Sequence, residues 1–204
     1  MIASLIPRLF RRPFSLIIAG VLATAVVLGG GALVVSEGLR GSVQAKVSGE
    51  LSGTVLNGCE IRQFTKCAGA DLSGFNLNGA NLANATLNGA NLSNSSLVGA
   101  NLSGADMRGA NMKWATLSNA NLSGASLRGV VLHEAIAAGA SLEGADVSRS
   151  NLMYAFLFKA NLRGANLMRA DLRDVNLEWA DLTGAKLDGA NLTGATMPDG
   201  SIHP

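Results

Sequence analysis

The sequence is poor in the residues from which catalytic and metal sites are usually built. It has two histidines and two cysteines in 204 residues, and aromatic residues make up only 4%. It contains neither a glycine-rich phosphate loop with a lysine nor the glycine-aspartate nonapeptide of calcium-binding β-rolls. Serines are abundant, but they occupy repeated positions such as Ser93, Ser103 and Ser123, where hydrogen bonding within turns explains them. We therefore expect no cofactor, no metal and no enzymatic activity.

Proline and excess charge of one sign are also missing from most of the chain. No proline occurs between Phe14 and Met197, so every backbone N–H there is available for hydrogen bonding. Residues 70 to 204 carry 11 acidic and nine basic side chains. A DNA mimic needs a strongly negative surface and a nucleic-acid binder a strongly positive one, so we expect no nucleic-acid partner.

What fills the chain instead is a five-residue repeat. Residues 70 to 199 divide into 26 consecutive pentads without insertion, and the third residue, here called the centre, is leucine in 21 of them. The first residue is alanine in 21. On an α-helix such leucines would spread over every side, and on a flat strand they would alternate between two faces. A chain that runs straight for about three residues, bends and repeats directs them all to one axis, which predicts a solenoid.

The other positions of the pentad favour a turn in every repeat. The residue before the centre is Asn or Asp in 16 of the 26 pentads, and such side chains hydrogen-bond nearby backbone groups. Glycine closes 14 pentads, where a corner with positive φ would strain other residues. Leucine and alanine are therefore expected inside, with the polar residues on the outer surface.

The tandem motif A(D/N)LxG resembles the pentapeptide repeat family over about two thirds of the chain. The resemblance implies an all-β solenoid, a right-handed quadrilateral β-helix with four pentads in each coil. At four pentads per coil, the 26 pentads make about 6.5 coils and a rod about 30 Å long. Some members of the family imitate DNA and protect gyrase, which gives an alternative function to test.

The N-terminal region predicts an anchor. Residues 1–13 form a basic leader with Arg8, Arg11 and Arg12, and residues 14–35 are a run of 22 residues without charge, long enough for a transmembrane or signal-anchor helix. The arginines predict a cytoplasmic N-terminus and an extracytoplasmic repeat domain in a single-pass protein of the bacterial cytoplasmic membrane. The alternative is a secreted protein, cleaved after a signal peptide near Val43-Gln44-Ala45.

Between the anchor and the repeats, residues 36–58 are predicted to be a linker and residues 59–69 an N-terminal cap. Cys67 falls on a centre position and Cys59 lies outside the register, so a disulfide holding the cap is expected in an oxidising compartment, with two free thiols as the alternative. Residues 200–204 form a short tail, in which Ile202 keeps the inward register. The end of the solenoid is a candidate surface for a homodimer unless this tail covers it.

The outer surface offers two groups of residues when the pentads are placed on four sides. The first is an aromatic group on two adjacent sides, proposed to bind a partner: Trp114, His133, Met153, Tyr154, Phe156, Phe158 and Trp179. The second is a basic stripe on another side, interrupted by three aspartates, which is a candidate contact for phospholipid headgroups or an acidic partner, with a solvated wall as the alternative: Arg108, Arg128, Arg149, Arg169 and Lys186. His133 beside Glu134 is the only pair suggestive of acid-base chemistry, and without a cleft or third group we interpret it as a surface pair.

These observations favour a non-catalytic scaffold. We expect a membrane-anchored protein whose walls bind an unidentified protein or envelope component on the extracytoplasmic side. The alternative, a gyrase-protection protein, is less compatible with the near-neutral repeats and with the apolar N-terminal segment.

Overall fold

The computed structural model describes residues 15–18, 21–24, 26–28, 32–34 and 51–204. Its strands are β1 (Ser15–Ile18), β2 (Val21–Thr24), β3 (Val26–Leu28), β4 (Ala32–Val34), β5 (Thr54–Leu56) and β6 (Cys59–Ile61). Strands β1 and β2 pair antiparallel, and the other four form a sheet in the order β3-β4-β5-β6, in which only β4 and β5 are parallel. After β6 the chain forms the repeat body.

Single parallel β-bridges hold the repeat body together, and each joins residues 20 positions apart. The series begins with Lys66 and Thr86 and continues to Asn176 and Thr196. A spacing of 20 residues means that four pentads complete one coil, as the family resemblance implies. The expectation of an all-β solenoid is therefore confirmed, whereas the right-handed sense and the total of about 6.5 coils stay predictions.

The four sides of the solenoid are named by the centres that they stack. Wall 1 runs in steps of 20 from Leu72 to Leu192, wall 2 from Leu77 to Met197, wall 3 from Leu82 to Leu182, and wall 4 from Cys67 to Leu187. The bridges lie one residue before each centre, so successive coils stack in register along every wall.

The centres form the core. Every centre from Leu72 to Leu177 is at most 5% exposed, and the alanines that open the pentads are buried beside them from Ala80 to Ala180. Each fully buried leucine contributes about 1.5–3 kcal/mol to folding, which offsets the entropy of ordering the chain. The expected inward positions of leucine and alanine are thus confirmed.

A tight turn after each centre makes the corner. In a typical pentad, Ala105 N–H donates to the carbonyl of Leu102 at 3.1 Å, and the intervening Gly104 has φ of 64°. The closing residue has positive φ in every pentad from Gly74 to Gly194. The side chain of Asn101 supports the turn, because its Oδ1 accepts from Ser103 N–H at 3.1 Å.

An antiparallel hairpin, β5 and β6, precedes the first coil. Its two-residue turn is Asn57-Gly58, with φ of 47° and 78°, as a type I′ turn requires. The predicted linker over 36–58 is therefore wrong at its end, since Thr54–Leu56 is a strand. The physical reason is the Asn-Gly turn, which reverses the chain and lets Thr54–Leu56 pair with the capping segment. Residues 36–50 lie outside the described residues.

The helix expected over residues 14–35 is not found in its described residues. They form β1 to β4, and the rest of this range lies outside the described part of the chain, as do residues 1–13. The apolar runs are rich in Val and Ile, whose branched side chains suit strands. In the described part of the chain, no helix has the length and hydropathy needed to cross a bilayer.

At the other end of the solenoid the last coil is only partly covered. Leu182, Leu187 and Leu192 are half-buried, and the tail turns back so that Ile202 pairs antiparallel with Thr196. Ile202 is 63% exposed, so its expected inward register is wrong. With no further coil to pack against, the tail pairs with the backbone instead.

Candidate functional site

The corner between walls 1 and 2 carries large side chains where the repeat usually has small ones. Trp114, Glu134 and Tyr154 close pentads in three consecutive coils, with φ of 60°, 55° and 61°. Positive φ costs a residue with a Cβ about 1–2 kcal/mol, and glycine or asparagine in this position avoids most of that cost. Bulky residues held in this conformation are concentrated at functional sites, so this row is a candidate site.

Apolar side chains continue this surface onto wall 2. Ile136 and Phe156 precede the centres of adjacent coils and are 46% and 39% exposed. The same row of wall 2 is polar in its other coils, at Asn76, Ser96, Thr116, Asn176 and Thr196. Together with Glu134, Ala135 and Tyr154, these two residues line an open depression of about 530 Å³. On wall 2, the residue before the centre is therefore apolar in two adjacent coils, those of Ile136 and Phe156.

The apolar surface extends along wall 2 through Phe158 and Trp179. The rings of Phe156 and Phe158 stack with centroids 5.8 Å apart and an angle of 13° between their planes. Trp179 closes the pentad one coil further and is 67% exposed, also at positive φ. Such an exposed run of aromatic residues is typical of an interaction surface.

His133, on wall 1, contacts two residues of this surface, Glu134 and Tyr154. Its Nε2 lies 2.9 Å from Oε1 of Glu134, and its ring meets the Tyr154 ring edge to face at 5.8 Å. Its Nδ1 is buried and has no hydrogen-bond partner among the described residues. These contacts hold Glu134 and Tyr154 in place on this surface.

Charges of both signs surround the aromatic rings. Nζ of Lys113 lies 3.9 Å from the centroid of Trp114, and Nζ of Lys159 lies 5.1 Å from that of Phe158. Trp179 Nε1 donates to Glu178 at 3.1 Å. With Glu134, these groups give the surface two lysines and two glutamates, so its charge is balanced. We call Trp114, Glu134, Ile136, Tyr154, Phe156, Phe158 and Trp179 the aromatic corner.

The structure places the seven predicted aromatic-group residues on walls 1 and 2, where the register assigned them. Met153 and Phe158 are less exposed than Tyr154 and Phe156, and Trp179 lies one coil beyond the others. Sequence reasoning missed Ile136 and the two lysines. Ile136 could have been found from the sequence, because it stands before a centre, where most pentads have a polar residue. The roles of Lys113 and Lys159 follow only from their contacts with aromatic rings in the structure.

The predicted basic stripe occupies wall 4, but its members differ. Arg108 makes a two-point contact with Asp106, with Nε donating to Oδ1 at 2.8 Å and Nη2 to Oδ2 at 2.7 Å. The hydrogen bond from Arg108 lowers the pKa of the Asp106 carboxyl below its ordinary value, with burial acting in the opposite direction. Arg128, Arg149, Arg169 and Lys186 are exposed and make no ion pair within the described residues.

Cys59 and Cys67 are bonded in the structure, with an S–S distance of 2.04 Å. Both are buried, and the bond links strand β6 to the first centre of wall 4. Within the described residues, no three His, Cys, Asp or Glu side chains are grouped so that they could hold a metal ion.

Comparison with known families identifies the repeat. Pentapeptide repeats match in eight copies, over residues 65–104, 87–124, 115–153 and 160–197. These ranges cover more than half of the chain, and they coincide with the stacked pentads of walls 1 to 4. The chain therefore belongs to the pentapeptide repeat family. A comparison with curated protein sequences gave no match.

Solved structures similar to this chain are also pentapeptide repeat proteins. HetL, involved in heterocyst differentiation regulation in the cyanobacterium Nostoc, is 30% identical over 70% of this chain and 92% of its own, with a TM-score of 0.28. A protein of the Arabidopsis thaliana thylakoid lumen is 27% identical over 67% and 71%, with a TM-score of 0.36. QnrB1, a plasmid-mediated fluoroquinolone resistance protein, is 22% identical over 68% of each chain, with a TM-score of 0.41.

Proposed function

We propose that this pentapeptide repeat protein is a non-catalytic scaffold whose aromatic corner binds a protein partner. The observation that carries the proposal is the row Trp114, Glu134 and Tyr154, three large residues held at positive φ beside the apolar Ile136 and Phe156. Other coils of the same rows have small or polar residues at these positions, so the turn does not require large side chains. We infer that the large exposed side chains serve contacts with another molecule.

The composition of the corner indicates what kind of partner it suits. Protein interfaces combine a central group of aromatic residues with a polar rim, and Trp and Tyr dominate their binding energy. The corner has this arrangement, because Lys113, Lys159 and Glu178 lie around the rings. Its balanced charge favours a protein surface with an apolar centre over a polyanion.

Asparagine substitutions test the proposal without disturbing the coil. Asparagine already occupies the same corner row at Asn94, with φ of 57°, and closes a pentad of wall 2 at Asn119 with the same φ, so Trp114→Asn and Tyr154→Asn are compatible with the turn. We expect the double variant to lose its crosslinked partners in the native cell while keeping the thermal unfolding temperature of the parent.

Phe64→Asn is the matched control. Phe64 is 65% exposed and also has positive φ, but it lies in the capping region, away from the corner. The control is expected to keep every crosslinked partner. Loss of the same partners in both variants, or retention in the Trp114 and Tyr154 double variant, would refute the corner as the binding surface.

The second part of the proposal is attachment to the cytoplasmic membrane, with the repeat body outside the cytoplasm. The support is the uncharged run over residues 14–35 after three arginines. The bonded Cys59 and Cys67 are consistent with an oxidising compartment. Carbonate extraction followed by protease treatment of intact spheroplasts tests it, since release by carbonate or protection of the repeat body would count against the proposal.

The open end of the solenoid supports a homodimer as an additional proposal. The amide groups of Leu182, Leu187 and Leu192 donate no hydrogen bond within the described residues, and their side chains are only half-buried. Unpaired edges of this kind pair with other edges unless they are covered. Sedimentation of the purified protein tests the dimer, and a monomer at every concentration would exclude it.

Protection of gyrase is the less supported alternative. The 11 acidic and nine basic residues between 70 and 204 leave a net charge of about −2, because 9 minus 11 is −2, and a DNA mimic needs much more. A supercoiling assay with gyrase and a fluoroquinolone decides the matter. Protection by the purified protein would favour this function over the scaffold.

A further inference from the structure

One corner row of the solenoid contains two arginines in place of glycine. The closing residues of wall 4 are glycine in five of its seven pentads: Gly69, Gly89, Gly109, Gly129 and Gly189. The remaining two are Arg149 and Arg169, in consecutive coils, and both have φ of 58°. Glycine is the residue that this corner accepts without strain.

The two arginines are unfavourable for the fold in two ways. Each is held in a backbone conformation that side chains with a Cβ rarely adopt. In addition, stacked coils are about 4.8 Å apart, so two positive side chains in neighbouring layers repel each other. Glycine removes both costs, and the same row uses it elsewhere. The arginines are thus kept for something other than stability.

Their lack of ionic partners separates them from most arginines of the protein. Of the seven arginines in the described repeat region and cap, four form ion pairs, with Glu60, Asp106, Asp181 and Asp171. The other three make none, and they lie on wall 4 in three consecutive coils: Arg128, Arg149 and Arg169. Unbalanced positive charge in the described part of the chain is therefore concentrated on this wall.

The acidic residues nearby do not neutralise them. Asp146 directs its Oδ1 to Ser148 N–H at 3.1 Å and to Asn166 Nδ2 at 3.0 Å. Asp188 lies on the next coil and forms no ion pair with Arg169 in the described structure. Both guanidinium groups are thus available to an anion from solution.

Gly189 has no side chain and so leaves space beside the side chain of Arg169. A Cβ added to Gly189 would lie 3.4 Å from Cγ of Arg169, at van der Waals contact. The Cγ of Arg169 therefore lies beside Gly189, the closing residue of the next coil on wall 4. The stacked backbone holds the two arginine Cα atoms at a fixed separation, which favours binding of one group by both.

We propose that Arg149 and Arg169, assisted by Arg128, form a binding site for a phosphate group. Guanidinium groups bind phosphate through two parallel N–H···O hydrogen bonds, and two of them in adjacent layers suit the oxygens of one phosphate. The phosphate belongs either to a free phosphorylated compound or to a phosphodiester headgroup of a lipid. The site lies on wall 4 and is independent of the aromatic corner.

Replacement of both arginines by glycine tests the site. Arg149→Gly and Arg169→Gly restore the residue of the row, so the double variant is expected to fold and to unfold at the same or a higher temperature. The probes are inorganic phosphate and glycerophosphoglycerol, a lipid headgroup without acyl chains, titrated into the full chain in neutral detergent. Calorimetry gives affinity, and the arginine Nε resonances show which side chains respond.

The control is the double variant Arg163→Gln and Arg173→Gln, which removes the same charge from two arginines that form ion pairs with aspartates. We expect saturable binding to the parent and the control, and binding at least about ten-fold weaker in the glycine variant. Binding of inorganic phosphate alone supports the site with a free phosphate as ligand, and binding of glycerophosphoglycerol supports it with a lipid as the source. Absence of binding in both arms, or equal weakening in the control, overturns the proposal.

Discussion

Leu127 is the centre of a pentad on wall 4, and its truncation to alanine tests the close-packed column. Its side chain is 0% exposed and lies between the coils centred on Met107 and Val147, which are also fully buried. Burial of this kind gives losses of about 2.7–5.0 kcal/mol for Leu→Ala, including the cavity left behind. We expect about 3–4 kcal/mol, because the rigid coils above and below cannot collapse into the space.

Leu187 provides the matched comparison. It is the same residue type on the same wall, but it belongs to the last coil, is half-buried and has no further coil on one side. Truncation of Leu187 removes less buried surface, and the space that it leaves is open to solvent instead of forming an enclosed cavity. We expect a loss of about 1–2 kcal/mol, roughly half that of Leu127→Ala.

Urea unfolding followed by far-UV circular dichroism measures both losses, with Ser126→Ala as a surface control on wall 4. Because the stability of a solenoid is a sum over neighbouring coils, fluorescence of Trp114 and Trp179 should be recorded as well, to detect separate unfolding of the end. A loss below about 1 kcal/mol for Leu127→Ala would refute the central column. Equal losses at both positions would show that the last coil is covered in solution.

Three further predictions concern the cap and the surface charges. Cys59→Ser should destabilise the cap by about 2–3 kcal/mol, because the bond closes a loop of residues eight positions apart; hydrogen exchange of β6 measures this, and unchanged protection would contradict it. Gly58→Ala should cost about 1 kcal/mol at its φ of 78°, seen as a lower midpoint in heat unfolding, while Ser52→Ala should not. Arg173 hydrogen-bonds Asp171 and lowers the pKa of that carboxyl, so Arg173→Ala should raise this pKa in an NMR titration. The contribution of this pair to stability is present above the ordinary carboxyl pKa and is lost as the pH falls through the lowered value, and an unshifted Asp171 titration would exclude the pairing in solution.

The sequence alone predicted the repeat body because its period is exact in register over 26 pentads. A leucine that recurs at every fifth residue has one consistent inward direction only if the chain bends at each pentad, so the core positions from Leu72 to Leu177 followed directly. The register also assigned Trp114, Tyr154 and Phe156 to adjacent walls, once four pentads per coil were taken from the family resemblance.

The ends were harder to predict, because the repeat gives no information there. The Asn57-Gly58 turn was a usable signal for the hairpin, but it lies outside the pentads and was absorbed into an expected linker. Ile202 kept the inward register in sequence yet is exposed, because register places a side chain inside only when another coil supports it. Hydropathy likewise predicted a helix over residues 14–35, whereas its described residues are strands.

Within the repeats, the five-residue period identifies the buried positions from Leu72 to Leu177, because burial there follows from local periodicity. Which exposed residues contact each other follows from the stacking of the coils, because neighbours on a wall are 20 positions apart in the sequence. Arg108 and Arg149 lie on the same wall, but Arg108 forms an ion pair with Asp106, whereas Arg149 forms none among the described residues and is held at positive φ. That difference depends on side-chain geometry, which composition and spacing do not contain.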